Sequence, residues 1–373
     1  MRSVARKYGV SLCMVRWWVR RAWGLALDRV DWSNRPPVPK RMHRTEAGVE
    51  DLVLTLRRDL KERSDLGEFG ARAIHRELIA RGRRGVPSVR TIGRILERRG
   101  ALDGRRRIRR PPPPRGWYLP EVAQGRAEVD SFDIIEGLAL QGGLQIEVLT
   151  VISLHGGLPG AWPQSLVTAK IVVERLVEHW QEFGVPLYAQ FDNDTIFQGG
   201  HHGQDSIGRV MRTCLGLDVT PVFVPPHESG FQAAIENFNG RWQAKVWTRF
   251  HHDTAAALQE RSRRYVTALC HRAAERIEAA PQRRPFPDSW HPDLQGYPQG
   301  RIIFMRRTSE HGSVSLLGHT FEVDPVWPHR LVRCEVHLSA DTIRFYALRR
   351  REPTYHPLLR ELPYVFPRKP FHE

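Results

Sequence analysis

Residues 127–134 read Ala127-Glu128-Val129-Asp130-Ser131-Phe132-Asp133-Ile134, and the reading of this run decides the fold. Apolar and polar positions alternate as in a strand, yet an aspartate stands at its centre, where a lone carboxylate is costly unless paired or metal-bound. Toward the C-terminus, residues 144–154 predict a second strand and residues 156–162 a short third. Residues 166–183 predict a helix with Ala169, Val172, Val173, Leu176, Val177 and Trp180 on one stripe. A strand over 187–192, a helix near 206–215, a strand over 219–224 and a helix over about 232–250 complete the run. Three strands, helix, strand, helix, strand, helix is an α/β order.

Three acids fall where carboxylates do more than solvate: Asp130 inside the first strand, Asp192 at the end of the fourth, and Glu236 on the last helix. At 100° per residue, Gln232, Glu236, Asn239 and Gln243 lie within about 60° of one another. Ile235, Phe238, Trp242 and Val246 form the adjoining apolar stripe, which sets Glu236 at the edge of a cleft. Carboxylates gathered there suit Mg²⁺, a cation that takes hard oxygen ligands. By register, Asp133 and Glu228 read as surface or turn residues. The pairs His201-His202 and His251-His252 read as solvated loop residues rather than zinc ligands.

Toward the N-terminus the charge changes. Residues 1–120 hold 30 of the 57 Lys and Arg but only 12 of the 41 Asp and Glu, a net +18, while the remainder carries −2. So sharp a step predicts a basic front end for a polyanion and a near-neutral body. It argues against one small-molecule enzyme. No apolar stretch approaches the roughly 20 residues of a spanning helix, and no charged-then-apolar leader opens the chain, so a soluble, cytoplasmic and nucleoid-associated protein without membrane contact is expected. Cys13, Cys214, Cys270 and Cys334 are scattered, which disfavours a disulfide framework and a cysteine-rich zinc site.

Within the basic part, Val4–Tyr8, a glycine turn at Gly9, a capping Ser11 and a basic helix carrying Arg16, Arg20 and Arg21 read as a helix-turn-helix. Its first helix is clipped, so the true N-terminus is expected upstream. The competing reading is an amphipathic basic helix with a solvated face. A second copy is fuller: a helix near 46–62, the run Phe69–Leu78, a Gly/Arg turn at 82–85, and a helix capped by Ser88. That helix points Val89, Ile92, Ile95 and Leu96 inward and leaves Arg90, Arg94, Arg98 and Arg99 outside, as a helix in a major groove would. Arg105, Arg106, Arg107, Ile108, Arg109 and Arg110 with Pro111–Pro114 form a linker whose charge can track phosphates. Beyond residue 300, short β runs separated by Gly, Pro and Asp suggest a small barrel.

The segments Val129-Asp130-Ser131, Phe191-Asp192-Asn193 and Glu236-Asn237-Phe238-Asn239, with 43 residues between the second and third acids, resemble those of DDE-type bacterial insertion-sequence transposases and retroviral-type integrases. The likeness spans nearly the whole chain, because residues 69–96 also resemble the second helix-turn-helix of such transposases. It implies a multidomain protein. A partial helix-turn-helix (1–44), a second one (45–102) and a basic/proline linker (103–124) lead to an α/β ribonuclease H-like core (125–250). A helical extension and linker (251–299), a small all-β barrel (300–350) and a tail (351–373) complete the chain.

The resemblance implies catalytic and metal-binding roles for Asp130, Asp192 and Glu236, with Mg²⁺ or Mn²⁺, two ions, as cofactor. It implies strand cleavage at element ends and strand transfer into target DNA, in-line phosphoryl transfer at two metals about 3.5–4 Å apart. Double-stranded DNA is the expected partner, met through Arg16, Arg20, Arg21, Arg90, Arg94, Arg98, Arg105, Arg106 and Arg107. A homo-oligomer on DNA is expected, and the need for an ATPase helper stays open. Two departures are visible: Asp194 stands where the family commonly has Gly, and Gln232-Ala233 where it commonly has Asn-Gly. They keep a second reading in play, a domesticated, catalytically inactive DNA-binding protein of the same fold. A plain transcription regulator leaves the strand-borne Asp130 and the C-terminal β runs without a role.

Overall fold

The computed structural model describes residues 1–33, 45–102, 115–200, 204–226, 228, 230–350 and 352–371. The chain divides into two units, Met1–Leu52 and Val53–Glu373. In the first, helix α1 (Arg2–Lys7) turns at Gly9, φ 62°, into α2 (Leu12–Ala22). Ser11 Oγ accepts from the Met14 amide at 3.2 Å, satisfying one of the free N–H groups of the α2 start. Arg16 and Arg20 are exposed. Arg21 instead pairs with Asp31 at 2.8 Å and lies over the rings of Trp17 and Trp18, 5.1 and 5.3 Å from their centroids.

Helix α3 (Ala47–Arg63) leads into the second unit, where α4 (Ala71–Ala80) packs on α5 (Val89–Arg98). Ile92, Ile95 and Leu96 of α5 are buried while Arg90, Arg94 and Arg98 are exposed, and Ser88 Oγ accepts from the Thr91 amide at 3.2 Å. The Arg249 guanidinium donates to the carbonyls of Lys61, Glu62 and Ser64, fastening the turn after α3 to the body.

Residues 103–114, with the basic run at Arg105, Arg106 and Arg107, lie outside the described residues. The C-terminal part of the expected linker is instead packed structure. Trp117, Tyr118 and Leu119, with Val122 of the short helix α6 (Pro120–Ala123), are buried in an apolar cluster with Val129, Tyr188 and Phe231.

The body is built on β1 (Val129–Ala139), antiparallel to β2 (Gln145–Ser153), which is antiparallel to β3 (Pro159–Gln164). Helix α7 (Ala169–Phe183), capped by Thr168, crosses to β4 (Tyr188–Phe191), parallel to β1. Helices α8 (Thr195–Gln198) and α9 (Arg209–Gly216) cross to β5 (Thr220–Phe223), parallel to β4, since parallel strands need such crossovers. The order β3-β2-β1-β4-β5, three antiparallel strands continued by two parallel ones, fits the ribonuclease H-like core.

Helix α10 (Ala233–Trp242) runs into a π-helical turn (Gln243–Trp247), and α11 (Ala255–Glu278) comes next. Ile235, Phe238 and Trp242 join Leu258 and Tyr265 against Ile135, Ile146 and Val148 on one sheet face. On the other, Leu176, Trp180, Val210 and Met211 cover Phe132, Val151, Phe191 and Phe223. Helix α11 is thus part of the core's own packing rather than an extension beyond it.

The expected small barrel is corrected. Strand β6 (Arg301–Arg307) pairs parallel with β5, and Phe223 stacks on Phe304 with ring centroids 5.2 Å apart. A two-stranded hairpin, β7 (Ser313–Leu316) and β8 (His319–Glu322), stands apart. Antiparallel β9 (Leu331–His337), β10 (Thr342–Ala347) and β11 (Leu358–Pro363) then extend one nine-stranded sheet, β11-β10-β9-β6-β5-β4-β1-β2-β3. The reason lies in β6: Ile302, Ile303, Phe304 and Met305 are all buried, so both faces are apolar, which suits an interior strand. Residues 358–363 of the expected tail supply the outermost strand. Among the described residues no helix is long and apolar enough to cross a membrane.

Candidate active site

Strand parity decides which carboxylates meet. Asp130 and Asp133 are three residues apart on β1, an odd spacing, and successive side chains of a strand alternate between faces. Asp130 shares its face with Phe132 and points toward α7. Its fully buried carboxylate accepts from Trp180 Nε1 at 2.9 Å and from Arg283 Nη1 and Nη2 at 3.0 and 2.5 Å. Arg283, from the segment after α11, also donates to the Gly184 carbonyl at 3.1 Å. The first acid expected at Asp130 is therefore not brought together with the other two; an arginine and an indole occupy it on the opposite face.

Asp133 lies where Asp130 was expected. In the β1–β4 register Asp130 stands opposite Ala189 and Ser131 opposite Gln190. The rings of Phe132 and Phe191 stack 5.5 Å apart beyond that register, and Asp133 lies near enough to Asp192 for the two charges to interact. Asp133 is a partly buried mid-strand residue, not the surface or turn residue its register suggested. Burial pushes its carboxyl up from 3.8 to about 6, and the negative charges of Asp192 and Glu236 push the same way against hydrogen bonds from the Ile134 amide and Asn239.

Asp192 comes directly after β4, the usual place for functional side chains in a parallel sheet. Its Oδ1 accepts from the Asp194 amide at 3.0 Å. Burial raises its pKa, and the charges of Asp194 and Glu136 add to the rise. Asp194 does not adopt a left-handed turn: at φ −62° and ψ 145° it caps α8, its Oδ1 accepting from the Ile196 amide at 2.8 Å. Asn193 ties the loop down, donating to the Val224 carbonyl at 2.7 Å and accepting from Gln198 Nε2 at 2.7 Å.

Glu236 is exposed in the first turn of α10, where the helix dipole favours a carboxylate. Three residues on, Asn239 is buried and donates through Nδ2 to Asp133 Oδ2 at 2.7 Å, while Thr150 Oγ1 donates to Asn239 Oδ1 at 2.8 Å. The chain β2 Thr150, α10 Asn239, β1 Asp133 links the helix bearing Glu236 to the strand bearing Asp133. Asn239 was visible on the polar stripe with Glu236; its partner depends on packing between distant segments.

A cleft of about 620 Å³ is lined by Asp192, Asn193, Asp194, Glu228 and Gln232 among others. Glu228 bridges Arg307 and Arg350. His251 pairs with Asp253 at 3.0 Å, and buried His252 bonds the Val246 carbonyl at 3.0 Å; His201-His202 lie outside the described residues. The donors facing the cleft are hard oxygens and mutually repel, which fits a divalent cation by chemistry. Among the described residues, however, no three His, Cys, Asp or Glu side chains stand close enough together to hold one as they are.

No protein-family model and no curated protein matches the chain. Solved structures do. One is a chain of the simian T-cell lymphotropic virus intasome in complex with PP2A regulatory subunit B56 gamma, at 13% identity and TM-score 0.36, covering 74% of this chain and 88% of that one. Another is the BIV integrase catalytic core domain, at 16% identity and TM-score 0.29, covering 38% of this chain and 82% of that one. A third is the HTLV-2 integrase catalytic core domain in complex with magnesium, at 10% identity and TM-score 0.27, covering 38% and 84%. With likeness this distant, function has to be argued from the site.

Proposed function

We propose that the chain is a metal-dependent DNA strand transferase, a transposase or integrase, whose acids are Asp133, Asp192 and Glu236. One observation carries the reading: Asp133 on β1 lies close enough to Asp192, directly after the parallel strand β4, and to Glu236 for their charges to interact, while Asn239, one helical turn from Glu236, is bonded to Asp133. Asp133 here replaces Asp130. Mg²⁺ or Mn²⁺, two ions in the full site, would be held by these three residues and would supply an activated nucleophile and charge stabilisation at the leaving 3′ oxygen. The protein's own part is to hold the carboxylates in place, with Asn239 fixing Asp133 and the Asp194 amide fixing Asp192.

Exposed Arg90, Arg94 and Arg98 on α5, with Arg16 and Arg20 on α2, are the proposed duplex-binding side chains, together with Arg105, Arg106 and Arg107. Arg21 serves more to hold its own unit, through Asp31. Element ends and target DNA are the proposed substrates, and joining two ends calls for at least two subunits. A second reading, a DNA-binding protein that does not cut, is favoured by the absence of a ready three-carboxylate cluster among the described residues.

Duplex cleavage in Mg²⁺ or Mn²⁺ separates the readings. Asp133→Asn, Asp192→Asn and Glu236→Gln should each lose roughly 100-fold or more in rate, since several kcal/mol of charge stabilisation depend on the metal, with DNA binding retained. Wild-type protein that binds DNA but cuts none in either metal supports the second reading. Full activity in Asp133→Asn refutes the site.

A further inference from the structure

Strands β4, β5 and β6 are parallel, so their C-terminal ends lie at one end of the sheet, the end that carries Asp192. In the antiparallel neighbours, Leu331 stands opposite Arg307 and Ala347 opposite Val332, which brings the start of β9 and the end of β10 to the same end. Four exposed arginines gather there, Arg307, Arg330, Arg349 and Arg350, around a cavity of about 760 Å³. Their placement is built. The buried indole of Trp327 carries Arg330 and Arg349 at 4.6 and 5.1 Å from its centroid, a contact that orders planar guanidinium groups.

Among the described residues, two carboxylates line this cavity. Glu352 accepts from Arg349 Nη1 at 2.9 Å; Glu228 accepts from Arg307 Nε at 2.7 Å and lies 3.9 Å from Arg350 Nη2. Glu228 also lines the cleft that contains Asp192 and Asp194, so the arginine cavity and the carboxylate cleft share a wall. A row of guanidinium groups in surplus over acids, fixed by an aromatic ring and continuous with an acidic cleft, matches a chain of phosphodiesters, which arginine meets with two parallel hydrogen bonds.

We propose that Arg307, Arg330, Arg349 and Arg350 bind the sugar-phosphate backbone of the DNA strand that enters the carboxylate cleft, and that Glu228 is the internal anion a phosphate displaces. This assignment rests on the DNA reading above and adds to it a second binding surface, far in sequence from the basic N-terminal region. The strand passes over the C-terminal part of the sheet before it reaches Asp192. Glu228 keeps Arg307 oriented until DNA arrives.

The test uses the full chain without divalent metal, so that binding is read apart from cutting. A duplex carrying an aryl azide on one phosphate is photocrosslinked and the attached peptides are mapped. Attachment within 307–350 is expected. Replacing Arg330 and Arg349 by Gln should reduce the slope of log affinity against log salt by about 1.8, two phosphate contacts at about 0.9 each, while the Lys pair keeps most of the slope. Glu228→Gln should tighten binding about threefold to tenfold. Crosslinks confined to residues 1–115, or an unchanged slope in a Gln pair whose melting temperature matches wild type, overturns the proposal. So does polyglutamate that displaces the duplex at equal charge. A chain that crosslinks here yet never cuts keeps this site and loses the catalytic reading; one that cuts without these crosslinks does the reverse.

Discussion

Asn239 holds Asp133: its amide nitrogen lies 2.7 Å from Asp133 Oδ2, and its oxygen is in turn held by the Thr150 hydroxyl at 2.8 Å. The position of a β1 carboxylate is therefore set by a residue of α10. Asn239→Ala should cost about 1–3 kcal/mol of stability, the range for leaving buried polar groups without a partner, and should weaken Mg²⁺ affinity. Chemical denaturation and calorimetric titration check both. Unchanged Mg²⁺ affinity in a folded Asn239→Ala protein would remove the positioning role.

The raised pKa of Asp133 makes stability depend on pH. Its carboxyl titrates at about 6 when folded, above its ordinary 3.8, so the folded chain binds the proton more tightly than the unfolded one. The stability this contributes is fully present below about pH 4 and is lost as pH rises through about 6, on the order of 2–3 kcal/mol at 1.36 per unit. Asp133→Asn should flatten this part of the metal-free melting profile and raise the melting temperature at neutral pH. Mg²⁺ should bind more tightly as pH rises through the same window. A melting profile between pH 4 and 7 identical in wild type and Asp133→Asn contradicts the assignment.

Asp130 and Asp133 should fail in different ways. Asp130 and Arg283 form a buried ion pair, and removing one partner leaves an uncompensated charge at a cost of about 3–5 kcal/mol. Arg283→Met should therefore unfold at clearly lower denaturant, and combining it with Asp130→Asn should recover part of the loss. Asp133→Asn should remove cleavage from a protein that still melts cooperatively. If Asp130→Asn keeps wild-type stability and loses only cleavage, the two roles are reversed.

On α5, the exposed faces of Arg90 and Arg94 carry no core packing. Replacing both with Ala should leave the melting temperature within about 2 °C, because surface changes usually stay within ±0.5 kcal/mol. It should flatten preference among duplex sequences more than replacing Arg105 and Arg106 does, since base contacts specify and phosphate contacts position. Selection from a random duplex library measures the difference; equal effects would show α5 to be another phosphate contact.

Local chemistry made much of the order legible. Ser11 and Ser88 read as caps and accept the N-terminal amides of α2 and α5, and the Ile92, Ile95, Leu96 stripe is the buried face of α5. Asp192 at the end of β4 and Glu236 on α10 stand on the predicted elements. The face of β1 was not legible: two aspartates three apart point opposite ways, and what awaits each depends on Trp180, Arg283 and Asn239, 50 or more residues away. The C-terminal strands show the same limit, because short β runs between Gly and Pro look alike whether they close on themselves or continue an existing sheet. Asp194, the departure from the family's usual Gly, serves as the cap of α8, a role that its short acidic side chain suits.

The pairing of β6 with β5 has a consequence for biosynthesis. A ribosome finishes β5 at Phe223 long before residues 301–307 emerge, so the nascent sheet waits with an unpaired, apolar edge on that side. Open edges of this kind recruit other chains, and long-range strand pairing is slow to form. A gene interrupted after codon 299 would on this account yield an insoluble product, not a shortened soluble one, and rearrangement cannot exchange the C-terminal strands as a cassette. The edge of β5 is covered only in about the last fifth of translation.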